Sequence, residues 1–346
     1  MIEIDGSQGE GGGQIIRSSI ALSLLTCKPV VITNIRAGRK KSGLRQQHLT
    51  AVNAAAKVGQ AKLEGAAVGA SCLSFEPSTV TSGEYSFRVG TAGSTTLVLQ
   101  TILPALLLTG EPSTLILEGG THNPFAPPFE FLANAYLPLV NRMGPNVAAS
   151  LTRPGFYPAG GGQFSVQVRP AERLKGFELH ERGNLRERTV KAIVSKLPTH
   201  IAKRECDTIA RKSGWEKKCF KVEESVDSIG FGNVVLVQVQ FDNITEVFVG
   251  FGKVGLKAER VATNVWKDAS KYLSSDVPVG PYLADQLLLP FGIAAHQGSS
   301  SSFRTSALTD HSTTHIEVLR QFLDIEVDVK ECATNDLIVE LRQAQK

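Results

Sequence analysis

Residues 1–35, MIEIDGSQGEGGGQIIRSSIALSLLTCKPVVITNI, hold the pattern on which the fold turns. Ile2 to Ile4 reads as a short strand, Gln14 to Thr26 as a helix by its apolar spacing, and Val30 to Ile35 as a β-branched strand. Farther out, Leu44 to Val58 predicts a second helix and Cys72 to Phe75 a closing strand. The same order recurs: a strand near Tyr85 to Val89, helix Ser94 to Leu108, strand Thr114 to Leu117, helix Pro128 to Met143, then strands flanking Gly160, Gly161 and Gly162. Helix Tyr282 to Ile293, strand Ser301 to Ala307, helix Ser312 to Leu323 and strands Glu326 to Glu331 and Leu337 to Leu341 look like a third copy. The expected fold class is therefore α/β (α+β), with three βαβαββ units in one large domain.

Between the second and third copies, over 183–275, the chain turns more charged. Thr189 to Leu197 and Val234 to Phe241 read there as strands, and His200 to Lys212 and Lys257 to Leu273 as amphipathic helices. This predicts a small inserted α/β domain, with 1–182 and 276–346 forming the large one.

The 346 residues are 42% hydrophobic and 20% charged, which excludes a disordered or collagen-like chain and allows a sizeable core without disulfides or metal. Lys and Arg number 37 against 33 acids, so a net charge of +4 is too weak to coat a long nucleic acid, and any polyanion must be met locally. Five cysteines without CxxC or zinc spacing predict reduced, buried thiols and a cytoplasmic enzyme. The first residues carry no basic-then-apolar signal, and Gln100, Thr101 and Pro104 interrupt the apolar stretch Leu97 to Leu108, so neither secretion nor a membrane partner is expected.

The run Asp5 to Gln14, with Gly11, Gly12 and Gly13, joins the first strand to the first helix, where free N–H groups and the helix dipole favour a phosphate. A plain tight turn explains such glycines equally well. Glu10 would repel that phosphate unless a divalent cation lay between them, which marks it as a metal contact. Arg17 follows one turn later, and Arg36, Arg39, Lys40, Lys41 and Arg45 crowd the next strand-to-helix connection. Parallel strands bring such junctions to one sheet edge, so Arg17, Arg36 and Arg39 could share a phosphate cluster; the alternative is a solvated basic loop. Gln47 and Gln100 are neutral donors that could complete the cradle, or simply exposed helix residues.

His311 and His315 lie four apart at a helix start, a spacing that could chelate zinc, but Ser312 stands where HExxH would place its glutamate and no third ligand is near in sequence. A histidine at a helix N-terminus has its protonation opposed by the dipole, leaving a ring nitrogen able to attack phosphorus. A capping or purely structural histidine is the competing reading.

These segments together resemble the RNA 3′-terminal phosphate cyclase family, in its catalytically active bacterial form, over nearly the whole length. The likeness is carried by DGSQGEGGGQIIR, IRAGRKKSGLRQQHLTAV, GTAGSTTLVLQT, GGTHNPFAPP, GFYPAGGG, YLADQLLLP and the His311 segment, in that order. The resemblance implies ATP-dependent conversion of an RNA 3′-phosphate into a 2′,3′-cyclic phosphate, releasing AMP and pyrophosphate, with His311 as nucleophile and a histidine–AMP intermediate. It places Tyr282 and Pro127 on the two faces of adenine, Arg17, Arg36, Arg39, Gln47 and Gln100 near phosphates, Asp285 and Gln286 near the nucleotide, Gly12 and Gly13 at the nucleotide loop, and Glu10 on Mg²⁺ or Mn²⁺. It also implies the three-unit fold of the enolpyruvyl transferases. One departure is His315, where many relatives carry Asn; tuned rates or pH dependence are expected rather than lost chemistry. Two other classes share features of the chain: a cyclase-like scaffold of ribosome assembly, disfavoured by His311 and the arginines, and an enolpyruvyl transferase, which needs no covalent nucleotide.

Overall fold

Ile2–Asp5 (β1) and Val30–Thr33 (β2) pair in parallel, Ile2 opposite Val30, with Gly13–Thr26 (α1) crossing between them. Gln46–Gly59 (α2), Lys62–Glu64 (β3) and Leu73–Glu76 (β4) complete a sheet of order β1-β2-β4-β3. Glu84–Arg88 (β5), Thr95–Leu106 (α3) and Ser113–Gly119 (β6) open the next sheet. Phe129–Phe131 (α4) then runs through a π turn, Leu132–Tyr136, into Leu137–Arg142 (α5). Asn146–Arg153 (β7) and Gly162–Arg169 (β8) close the order β5-β6-β8-β7. The structure is a computed structural model and describes residues 1–332 and 336–345.

The third sheet is assembled from both sides of the charged segment. Its outer strand, Glu178–Leu179 (β9), precedes Leu185–Ser195 (β10), His200–Ser213 (α6), Phe220–Glu224 (β11), Gly232–Phe241 (β12), Thr245–Phe251 (β13) and Ala258–Ser274 (α7). Pro281–His296 (α8), Ser301–Thr305 (β14), Asp310–Phe322 (α9), Ile325–Glu331 (β15) and Leu337–Gln343 (β16) follow, in the order β15-β16-β14-β9. In each of these three sheets the two strands that come first in the chain, β1 and β2, β5 and β6, β9 and β14, are parallel and the remaining pairs antiparallel. The sequence pattern showed no strand at Glu178–Leu179, because two residues display no alternation. The charged segment consequently enters between β9 and α8 rather than ahead of a third copy.

Helices α1, α3 and α8 each cross between the parallel strands of their sheet and are buried on almost every side, from Gln14 to Leu24 apart from Arg17, Thr95 to Leu106 apart from Gln100, and Leu283 to Ala295 apart from Gln286. Such all-round burial is the mark of a central helix, and each Ile or Leu so removed from water contributes roughly 1.5–3 kcal/mol. Gln14, Arg17, Gln100, Asp285 and Gln286 of these helices therefore bond to one another.

The fourth sheet, β11-β10-β12-β13, divides its side chains by the two-residue strand period. Val190, Ala192, Val194, Val235 and Val237 form a separate core with Ala202, Ile209, Val261, Ala262 and Val265 of α6 and α7. Ile193, Val234 and Leu236, on the opposite face, join the main core instead. Its two faces thus feed two different cores. The cysteines correct one expectation: all five are unpaired, but Cys27 and Cys72 are exposed, Cys332 is half-buried, and only Cys206 and Cys219 are buried. Cys27 sits in the left-handed turn that ends α1, which lies at the surface. No helix among the described residues is long and apolar enough to cross a membrane.

Candidate active site

The glycine-rich turn owes its shape to close approaches. Gly9 and Gly11 take positive φ, and a side chain on Gly9 would collide with Thr314 of α9. The turn is pinned there by the Glu10 N–H, which donates to Thr314 Oγ1 at 3.1 Å. Gly12 precedes α1 with no side-chain cap, and a Cβ on it would fall on the Glu10 carboxylate. Glu10 therefore folds over the positive end of the helix. Arg39 reaches the same place, ion-paired with Glu10 Oε1 and donating from Nη2 to the Glu10 carbonyl at 2.7 Å. Glu10 Oε2 is buried without a hydrogen-bond partner and lies 3.7 Å from His311 Nδ1.

His311 is the second residue of α9, whose N-cap Thr309 accepts from the Ser312 N–H at 3.2 Å. Its side chain is 52% exposed, and Nδ1 lies 2.6 Å from Oε1 of buried Gln14. From Gln14 a hydrogen-bonded chain of buried or partly buried side chains crosses the three central helices. Gln14 Nε2 donates to Asp285 Oδ1 at 2.6 Å, Gln286 Nε2 donates to Asp285 Oδ2 at 2.9 Å, Gln100 Nε2 donates to Gln286 Oε1, and Arg17 Nε donates to Gln100 Oε1 at 3.1 Å. Burial alone would raise the Asp285 pKa, but hydrogen bonds from His315 and Gln14 and the charges of His315 and His311 hold it below the usual carboxylate range. Withdrawal from solvent lowers Arg17 to about 10, with Asp285 opposing. His315 is buried one helical turn below His311, its Nδ1 3.3 Å from Gln14 Nε2 and 3.5 Å from Asp285 Oδ1. The two histidines thus share the Gln14 amide between them.

A second cluster lies beside Gly13. A Cβ there would come within 2.5 Å of His48 Nε2 and 3.0 Å of Arg17 Nη1. Buried His48 accepts from the Arg45 N–H at 3.1 Å through Nδ1, and burial together with Arg17, Arg36 and Arg45 lowers its pKa to about 3. It is a neutral ring packed among three cations. Arg36 braces its own loop through Nη1, which donates to the Lys41 carbonyl at 2.8 Å and the Gly43 carbonyl at 3.2 Å. Gln47 lies against Gly93 in the turn before α3.

The loop bearing Pro127 is held from beneath. Its carbonyl accepts from Thr96 Oγ1 at 2.8 Å, while His122 Nε2 lies 2.7 Å from Glu130 Oε2 and Lys191 of β10 3.7 Å from Glu130 Oε1. Burial would push Glu130 up, yet His122 and Lys191 outweigh it and keep its pKa below the usual value. Tyr282 projects from the first turn of α8 with 70% of its surface exposed, leaving a ring face available for stacking.

The structure therefore gathers Glu10, Arg39, His311, Arg17, Gln100, Asp285 and Gln286 into one connected group, with Gly12 and Gly13 at its floor. Arg36 and Gln47 flank it, and Pro127 and Tyr282 stand on separate loops. Sequence reasoning passed over Gln14 and His48. The available signal was a Gln14 three residues before Arg17 in a helix rich in Ile, Leu and Ala, and a histidine in the first turn of α2. Among the described residues no group of three or more His, Cys, Asp or Glu side chains could by itself hold a metal ion. The buried, unpartnered Glu10 Oε2 nevertheless suits a magnesium-type ion, which takes one or two carboxylates and completes its shell with phosphates and water.

A family model described as RNA 3′-terminal phosphate cyclase matches residues 8–329. A protein of that name from Koribacter versatilis (strain Ellin345) is 46% identical over 331 residues, spanning 96% of this chain and 92% of the relative. One from Ectopseudomonas mendocina (strain ymp) is 44% identical over 342 residues, spanning 99% and 98%. A third, from Ralstonia nicotianae, is 46% identical over 330 residues, spanning 95% and 93%.

Proposed function

The chain belongs to the RNA 3′-terminal phosphate cyclase family, and on that premise we propose that it uses ATP to convert an RNA 3′-terminal phosphate into a 2′,3′-cyclic phosphodiester through a covalent His311–AMP intermediate. The observation that carries this reading is the half-exposed His311 ring at the head of α9, engaged at Nδ1 and with no protein partner at Nε2 among the described residues. In the first step Nε2 attacks the α-phosphorus of ATP and pyrophosphate departs. An oxygen of the RNA 3′-phosphate then attacks the same phosphorus, breaking the P–N bond and leaving an adenylated RNA end. The 2′-hydroxyl finally attacks the terminal phosphorus and expels AMP. Adenylation comes first because a phosphate monoester dianion is a poor electrophile with a poor leaving group.

In this reading Tyr282 and Pro127 sandwich the adenine, while Arg17, Arg36, Arg39, Gln47, Gln100 and the N–H groups at Gly12 and Gly13 orient the phosphates. Asp285 and Gln286 lie beside the nucleotide. Glu10 would hold a divalent cation, which when bound supplies neutralisation of phosphate charge. We assign residues 1–182 and 276–346 to the catalytic domain and 183–275 to the insert. A reducing, cytoplasmic setting suits the exposed, unpaired Cys27 and Cys72.

The test is incubation with Mg²⁺ and ATP labelled at the α-phosphate. An acid-labile, alkali-stable adduct is expected on the protein and absent from His311→Ala. Persistence of the adduct in that variant overturns the assignment, and failure of the wild-type protein to form one favours the scaffold or enolpyruvyl transferase classes.

A further inference from the structure

The chain of side chains crossing α1, α3 and α8 has a direction. Arg17 carries only donors, and Asp285, held below the usual carboxylate range, carries only acceptors. Each amide between them has one nitrogen and one oxygen, so a single arrangement pairs every link. Arg17 Nε faces Gln100 Oε1, which turns Gln100 Nε2 to Gln286 Oε1 and Gln286 Nε2 to Asp285 Oδ2. From the other side Gln14 Nε2 donates to Asp285 Oδ1 at 2.6 Å. Turning that amide over would press its oxygen against an ionised carboxylate oxygen. Gln14 is thereby left with only an acceptor, Oε1, to offer His311 Nδ1 at 2.6 Å. The Glu10 carboxylate, 3.7 Å from the same nitrogen, favours a proton there as well. His315 Nδ1 lies 3.3 Å from Gln14 Nε2 and 3.5 Å from Asp285 Oδ1, beside the carboxylate that this amide serves.

We propose that Asp285, acting through Gln14, holds His311 in the tautomer that carries its proton on Nδ1 and presents the Nε2 lone pair, with Arg17, Gln100 and Gln286 fixing the far side of the carboxylate. Which ring nitrogen is protonated follows from the bond made by the other, and the opposite tautomer would aim an N–H at phosphorus. Gln14 and Asp285 are positioning residues here. The catalytic consequence rests on the reading of His311 as nucleophile; the tautomer itself does not.

The experiment is a long-range ¹⁵N–¹H correlation of the histidine rings in nucleotide-free, ¹⁵N-labelled protein at pH 8, with His311 identified by the signals missing from His311→Ala. Protonated Nδ1 is expected in the wild type. A shift to protonated Nε2 is expected in Gln14→Met, which keeps the side-chain length without the acceptor, and a partial shift in Asp285→Asn, whose amide lets Gln14 turn over. A wild-type ring protonated on Nε2, or a variant ring that keeps its proton on Nδ1, overturns the proposal; Asp285→Asn carries the comparison if Gln14→Met does not fold. With saturating ATP, adduct formation should slow by roughly 10- to 100-fold in Gln14→Met at an unchanged half-saturating ATP concentration. A loss confined to the half-saturating concentration overturns the positioning role. A wild-type protein protonated on Nδ1 that forms no adduct would refute the nucleophile and leave the tautomer assignment supported.

Discussion

Replacing Glu246 by Gln should stabilise the protein, and increasingly so as the pH rises. Glu246 is buried on β13, and its Oε1 accepts from the Gly280 N–H at 2.6 Å, immediately ahead of α8. Burial pushes its pKa from 4.5 up to about 8 against the backbone hydrogen bonds of Gly280 and Val247, which pull it down. Below pH 4.5 the group is neutral in both folded and unfolded chains and costs nothing. Between 4.5 and 8 the unfolded chain is ionised while the folded one holds its proton, so stability falls as pH rises, and above 8 the loss is complete. At 1.36 kcal/mol per unit the full loss is about 4–5 kcal/mol. Glu246→Gln removes the titration and keeps an acceptor for Gly280. Urea unfolding, followed through the fluorescence of Trp215 and Trp266, should show the variant's advantage growing by about 3 kcal/mol between pH 5.5 and 8.5. An advantage that stays constant across that range would mean that Glu246 is ionised throughout, and the argument would fail.

Arg39→Ala should barely move stability, by less than about 1 kcal/mol, because that guanidinium is 41% exposed and its ion pair with Glu10 is screened. Adduct formation should fall at least about tenfold, in the range seen when ligand-orienting partners are lost, and parallel losses in melting temperature and activity would instead assign Arg39 a structural role. Gly13→Ala should destabilise by roughly 1–3 kcal/mol, since the new methyl meets His48, whose ring is fixed by the Arg45 N–H, and Arg17. A urea midpoint equal to wild type would show that His48 yields freely.

Much of the architecture was legible in local pattern. The period of residues 14–26, 95–106 and 310–322 marks helices, and runs such as Val30–Thr33 and Ile325–Glu331 mark strands beside them, because both periodicities are written within a dozen residues. Two-residue β9 left no such trace, and the π turn at Leu132–Tyr136 sits inside a stretch that reads as one continuous helix. The exposure of Cys27 and Cys72 was likewise invisible, because burial depends on what packs nearby and not on the residue type.

For the site, residue types and spacing sufficed to nominate His311, Glu10 and the arginines, since a glycine-rich turn, a helix start and a cation cluster are each local. Their partnerships were not local. Gln14 meets Asp285 across 271 positions and His311 across 297, and Arg17 meets Gln100 across 83. Only the packing of α1, α3, α8 and α9 brings those groups within bonding distance. The direction of each hydrogen bond then depends on where an ionised Asp285 and a donor-only Arg17 terminate the chain, which no spacing in the sequence encodes.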